Sequence, residues 1–206
     1  MRQYRASLWS ASGIGFISII FGLLLLLSAC DSGPPWATKD ISGLMPQLAF
    51  TLTEANRDIN VHAQEYRGQV VLLFFGYTHC PDVCPLTLSR IKSALARLGD
   101  QAQQVRVLFV TVDPNRDSLQ ELKHYTAFFG PQFVGLRGSQ AALRELTKKY
   151  RVTYGYDKPD AQGNYNVSHS SAVYIFDRKG EARLLVRSDD SVSAISSDLK
   201  RLLAEK

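Results

Sequence analysis

The chain has 206 residues, with 24 lysines and arginines against 19 aspartates and glutamates and a formal charge of +5. That length suits one domain with a sizeable core. The charges of both signs are interspersed, with no basic stripe and no arginine-rich helix, so nucleic acid is excluded as an expected partner.

At the N-terminus Arg2 and Arg5 precede an apolar stretch from Ile14 to Leu27, which is short for a membrane span and has the flanks of a sorting signal. It ends in Leu27-Ser28-Ala29-Cys30, which resembles the bacterial lipobox. The resemblance implies cleavage before Cys30 and a lipid on its sulfur. The alternative is an uncleaved signal anchor, and both readings tether the domain to a membrane outside the cytoplasm. Asp31 resembles an inner-membrane retention signal, so the expected location is the inner (cytoplasmic) membrane, facing the periplasm. Residues 1–29 are thus expected to be a signal peptide and 30–46 a lipidated tether punctuated by Ser32, Gly33, Pro34 and Pro35. The folded domain is expected over 47–206.

From Leu48 the pattern turns to β. Ala49–Thr53 predicts a strand, Glu54-Ala55-Asn56 a turn and Asn60–Ala63 a short strand pairing back. Val70–Phe75 is a continuous apolar run of the kind buried on both faces of a sheet. A helix is predicted from Val83 to Leu98, with Leu88, Ile91, Leu95 and Leu98 on one stripe. A strand over Val105–Val112, a helix over Ser118–Phe129, a short strand over Phe133–Leu136 and a helix over Gln140–Tyr150 follow. Strands at Ser171–Phe176 and Ala182–Val186, joined by Asp177-Arg178-Lys179-Gly180, and a helix over Val192–Leu203 close the chain. Strands alternating with helices and ending in a hairpin predict an α/β sandwich: a mixed central sheet flanked by helices, with the thioredoxin-like arrangement. Tyr154-Gly155-Tyr156-Asp157 and the polar residues to Gln162 are expected to form an exposed loop over the site.

The chemistry lies in Cys80-Pro81-Asp82-Val83-Cys84-Pro85, where the run Val70–Phe75 gives way to a helix. On a helix, residues four apart share one face. Closing so small a loop stabilises little, which makes a purely structural disulfide a poor explanation. A helix N-terminus favours thiolate over thiol, and Cys80 lies nearest that end. A reversible disulfide between Cys80 and Cys84 is feasible. The three intervening residues also leave room for an ion. Two thiolates suit Cu(I), and an added imidazole gives a site able to hold Cu(II). Zinc would want a fourth ligand that is not obvious here.

Four histidines are available. His62 and His124 read as solvated surface residues, and His79 is expected to point away from the face shared by the cysteines. His169, just before a predicted strand, sits in the loop that approaches the cysteine helix in a thioredoxin-like fold. On this reading a ligand role and a structural role both stay open. Asp117 is expected to cap the helix that follows it, with a supporting role near the metal loop as the alternative for Asp113, Arg116 and Asp117. Asp82 is expected to cap or accept N–H bonds in its turn.

Gly76-Tyr77-Thr78-His79-Cys80-Pro81-Asp82-Val83-Cys84-Pro85 resembles the signature of the Sco/SenC family. Val110-Thr111-Val112-Asp113-Pro114-Asn115-Arg116-Asp117 is similar to that family's V-D-P-x-R-D segment, and Val167-Ser168-His169-Ser170 falls where the family places its ligand histidine. The resemblance runs from about Leu48 to Leu203. It implies a thioredoxin-like domain binding one copper ion, Cu(I) or Cu(II), through Cys80, Cys84 and His169. The implied role is assembly of the dinuclear copper site of cytochrome c oxidase, by handing over copper or by reducing the target's cysteines. The implied partners are the oxidase's copper-binding subunit, with a periplasmic copper donor or thiol reductant upstream. Where the family commonly has an acid before the histidine, this chain has Ser168, which bears on Cu(II) more than on Cu(I).

The leading expectation is a membrane-tethered copper metallochaperone. The alternative is a thiol–disulfide oxidoreductase in which Cys80 attacks and Cys84 resolves. A peroxidatic Cys80 and a redox or copper sensor are further readings.

Overall fold

The apolar run that leads to the cysteines is the central strand of the molecule. The computed structural model describes residues 34–205. In chain order its elements are β1 (Lys39–Asp40), β2 (Thr51–Glu54), β3 (Ile59–His62), β4 (Val70–Gly76), α1 (Val83–Ala96), β5 (Val105–Thr111) and α2 (Leu119–Ala127). They continue with β6 (Phe133–Arg137), α3 (Gln140–Lys149), β7 (Tyr154–Tyr156), β8 (Val167–His169), β9 (Val173–Phe176), β10 (Ala182–Val186) and α4 (Val192–Ala204). Short 3₁₀ turns occupy Ala63–Tyr66 and Gly99–Gln104.

Eight strands form one sheet in the order β1-β10-β9-β4-β5-β6-β2-β3, and β7 and β8 form a separate pair. β4, β5 and β6 run parallel, while β9 lies antiparallel to β4 and β2 antiparallel to β6. Every residue of β4 is buried, as expected for a strand with both faces covered. α1 and α4 pack on each other and α2 lies against β6. Gly135 permits that approach, because a Cβ there would come within 2.9 Å of Leu122 Cβ. The result is the expected thioredoxin-like α/β fold, with a mixed sheet flanked by helices.

Ser118, Ser139 and Ser191 cap α2, α3 and α4, each hydroxyl accepting the N–H three residues on. The expectation that Asp117 caps α2 is corrected. Ser118, one residue later, has the extended backbone of a cap, which leaves the Asp117 side chain free to turn into the core.

Two pairings differ from the sequence reading. β1 lies inside the segment read as tether and pairs with β10. It is held there by Asp198 of α4, which accepts from the backbone N–H groups of Ala37 and Thr38 and from the Thr38 hydroxyl. Ile41, the residue after β1, is buried. The stretch expected as a loop over the site forms instead, in part, strand β7, which pairs with β8 and sets Tyr154 opposite His169. Among the described residues no helix is long and apolar enough to cross a membrane. The signal stretch and Cys30 lie outside the described residues.

Candidate metal centre

β4 ends at Gly76 and α1 begins at Val83, with six residues between them. Cys80 lies in the intervening turn, closed by its N–H on the Tyr77 carbonyl (3.3 Å). Cys84 lies in the first turn of α1. The thiols are therefore not one turn apart along a helix, because the backbone of Asp82 (φ −140°, ψ −70°) is not helical. Asp82 stands at the cap position without a side-chain bond. The Cys84 N–H instead donates to Cys80 Sγ (3.4 Å), so a ligand sulfur sits on the N-terminus of α1. Cys84 is fully buried and Cys80 partly exposed, and both are free thiols.

β8 brings in the third donor, with His169 Nε2 3.2 Å from Cys84 Sγ. His169 Nδ1 lies 3.0 Å from the Ser170 carbonyl. A carbonyl only accepts, so Nδ1 carries the proton and Nε2 presents its lone pair to the sulfur. Burial pulls the His169 pKa below its ordinary value, although hydrogen bonds to the Ser170 and Phe75 backbone oppose it. The ring is therefore neutral, as a metal ligand must be. Burial pushes the Cys84 thiol well up, so that sulfur keeps its proton until something replaces it. The ligand atoms of Cys80, Cys84 and His169 all lie within 4.8 Å of one another. At bond lengths of about 2.0–2.3 Å, as for zinc, donors around a three-coordinate ion sit about 4 Å apart. The three residues fit one soft ion with small side-chain adjustments.

The segment Val110–Asp117 supports both halves of this centre. Asp117, without solvent exposure, accepts from Thr78 N (3.0 Å), Thr78 Oγ1 (2.6 Å) and Thr111 Oγ1 (2.6 Å). His79 Nδ1 lies 3.3 Å from the same carboxylate. Asp117 thus fixes the turn that carries Cys80. Asp113, equally buried, pairs with Arg116 and accepts from the Tyr165 hydroxyl (2.8 Å). Arg116 donates to the Tyr165 carbonyl (2.9 Å) and lies 3.6 Å from the Tyr165 ring centroid. Tyr156 donates to the Val112 carbonyl (2.5 Å). These contacts pin the ends of the β7–β8 pair that carries His169. Its ring meets Phe74 and Tyr77 edge-on, at 6.0 and 5.8 Å, and the Val167 N–H donates to Tyr77 Oη (3.4 Å). The supporting role held as the alternative for Asp113, Arg116 and Asp117 is the one the geometry adopts.

Gly76 is dictated by the same packing. A Cβ there would lie 2.6 Å from Cys84 Sγ and 2.7 Å from Phe109 Cε2. The remaining histidines stay outside the centre. His62 sits on β3, 2.9 Å from Thr51 Oγ1, and His124 is exposed on α2. His79 is about half exposed and turned to Asp117. Ser168 is exposed and donates across the hairpin to the Gly155 carbonyl (3.2 Å). Tyr77, Thr78, Tyr156 and Tyr165 were not singled out from the sequence as site residues. Tyr77 and Thr78 do lie within the cysteine motif itself.

Fold and cluster together define a thioredoxin-like domain with two thiols and an imidazole gathered at the carboxyl end of its central strand. The SCO1/SenC family model matches residues 44–204, and the chain belongs to that family. It is 35% identical over 132 residues to a SCO2-like protein of Rickettsia prowazekii, an alignment covering 64% of each protein. The chain thus spans just under two thirds of that relative's length. It superposes on copper-bound ScoI of Bradyrhizobium japonicum with a TM-score of 0.69 and 35% identity, over 76% of this chain and 98% of the other. For apo Sco1 of Thermus thermophilus the TM-score is 0.71 at 34% identity, over 83% of this chain and 99% of the other.

Proposed function

We propose that this protein is a membrane-tethered copper metallochaperone that holds one copper ion through Cys80, Cys84 and His169. It would deliver that ion to the dinuclear copper site in the copper-binding subunit of cytochrome c oxidase. The observation that carries the reading is the neutral His169 imidazole, whose free Nε2 faces Cys84 Sγ at 3.2 Å within a cluster that also contains Cys80. Copper bound to the Bradyrhizobium relative of the same fold supports it. Two sulfurs and one nitrogen match the preferences of Cu(I) and accept Cu(II). Binding replaces the thiol protons, so uptake releases protons and weakens as pH falls. Cys80 is partly exposed, which gives a partner's thiolate access for ligand exchange without release of the ion to solvent. The proposed tether is the lipid on Cys30, holding the domain at the periplasmic side of the inner membrane.

A second reading, reduction of the oxidase subunit's cysteines by the Cys80–Cys84 pair, is favoured by both thiols being free with their sulfurs in one cluster. Copper titration of the reduced protein separates the two. The metallochaperone binds one equivalent, and His169→Ala and Cys84→Ser both lose affinity. Unchanged affinity of His169→Ala for both oxidation states contradicts the three-ligand site. A wild type that binds no copper yet rapidly reduces a partner disulfide establishes the oxidoreductase.

A further inference from the structure

Tyr125 carries a polar group for which the fold has no use. It stands on α2 with its ring against Phe109 and Phe129, centroids 5.3 and 5.5 Å away. Its hydroxyl oxygen is buried and has no hydrogen-bond partner. A buried hydroxyl left unpaired forfeits the bond it had to water, and such groups in native structures call for an explanation. Phenylalanine would fill nearly the same space at no such cost.

The surroundings supply the explanation. Phe109, on which the Tyr125 ring lies, also borders the site, since the space over Gly76 is closed jointly by Phe109 Cε2 and Cys84 Sγ. Burial raises the Tyr125 pKa, and the charges that raise it further are those of Cys84, Cys80 and Asp117, in that order. The hydroxyl is therefore a protonated donor near three groups that can accept. Asp117 already takes bonds from Thr78 and Thr111. The sulfurs remain. As a neutral thiol Cys84 is a weak acceptor, with His169 Nε2 3.2 Å from its sulfur and a backbone hydrogen bond from Tyr77 already on it. As a metal-bound thiolate it becomes a strong acceptor in a dry setting.

We propose that the Tyr125 hydroxyl donates a hydrogen bond to Cys84 Sγ when that sulfur is a metal-bound thiolate, which makes Tyr125 a positioning residue of the copper centre. The inference rests on the copper reading. Two thiolates and Cu(I) leave one net negative charge in a largely buried place, and a neutral donor disperses it without adding charge. The Tyr125 hydroxyl, buried and without a partner of its own, is the donor half of that bond.

Tyr125→Phe removes the oxygen alone. In the full-length protein in detergent, Cu(I) affinity is read by competition with a chromogenic chelator, and metal-free stability by urea unfolding. The expected result is an affinity about tenfold lower, with metal-free stability equal to wild type or higher. With Cu(II), the sulfur-to-copper charge-transfer band should move to lower energy, because the thiolate loses a donor. A side chain that served packing alone would instead lower metal-free stability and leave the band in place. Affinity within twofold of wild type and an unshifted band overturns the proposal. So does an affinity loss matched by an equal loss of metal-free stability. A wild type that binds no Cu(I) removes the copper reading and this inference with it, an outcome distinct from a variant that matches a copper-binding wild type.

Discussion

Asp117→Asn strikes the joint on which the cysteine turn hangs. The carboxylate is fully buried and takes three clear hydrogen bonds, from Thr78 N, Thr78 Oγ1 and Thr111 Oγ1, with His79 Nδ1 at its edge. An amide keeps the shape but turns one acceptor into a donor. The Thr78 N–H cannot reverse its role, so the NH₂ is forced toward the Thr78 hydroxyl and the His79 ring, which must both reorient. Bonds to a charged acceptor are worth about 1.5–3 kcal/mol and neutral ones about 0.5–1.5. Weakening three bonds while disturbing one of them gives an expected loss of about 2–4 kcal/mol. Urea unfolding of the metal-free protein should show this as a lower midpoint at unchanged slope. Freed from Asp117, the turn carrying Cys80 samples other positions, so Cu(I) affinity should fall about tenfold, equivalent to about 1.4 kcal/mol. A stability loss below about 1 kcal/mol, together with wild-type affinity, would refute the claim that Asp117 holds the turn.

Gly76→Ala places a methyl group 2.6 Å from Cys84 Sγ. It should cost about 1–3 kcal/mol by overpacking and reduce copper affinity, as calorimetric titration would record. Arg116→Met leaves the buried Asp113 without its cationic partner. Stability should fall by about 3 kcal/mol, and amide hydrogen exchange should accelerate in β7 and β8 while β4 stays protected. Glu54→Gln tests a second buried carboxylate, which accepts from Arg57 and the Tyr66 hydroxyl. Burial raises the Glu54 pKa, but those bonds outweigh it and hold it below its ordinary 4.5. The contribution is therefore present above that value and lost as pH falls through the depressed one. Wild type should be the more stable by about 1–2 kcal/mol at neutral pH, and acid titration of stability should show the gap closing only in that window.

The parallel core was legible because Val70–Phe75 is an uninterrupted apolar run and Val105–Val112 is apolar apart from Arg106 and Thr111, both between turns, a signal that survives without knowledge of partners. Strand β10 lies at its predicted bounds, since Ala182–Val186 follows a tight turn ending at Gly180 (φ +72°). The β7–β8 pair was not legible. Its strands are three residues long, and what fixes them are Tyr156 and Tyr165 bonded to Val112 and Asp113, more than forty residues earlier. Strand β1 escaped for the same reason, being two residues held by Asp198 at the far end of the chain. The role of Asp117 turned on one residue: Asp117 and Ser118 are both good caps, and composition cannot say which one faces inward. Spacing placed Cys80 and Cys84 near each other without revealing that a non-helical Asp82 separates them. His169 stands 85 residues beyond Cys84, so the residues alone left it open between ligand and structural roles, and only the family motif implied the ligand role.

X-ray absorption at the copper edge of the Cu(I)-loaded protein reads out directly whether Cys80, Cys84 and His169 hold the ion. The expected shell is one copper per chain with two sulfur neighbours and one nitrogen neighbour, the nitrogen lost in His169→Ala. A sulfur-only shell that His169→Ala leaves unchanged would contradict it.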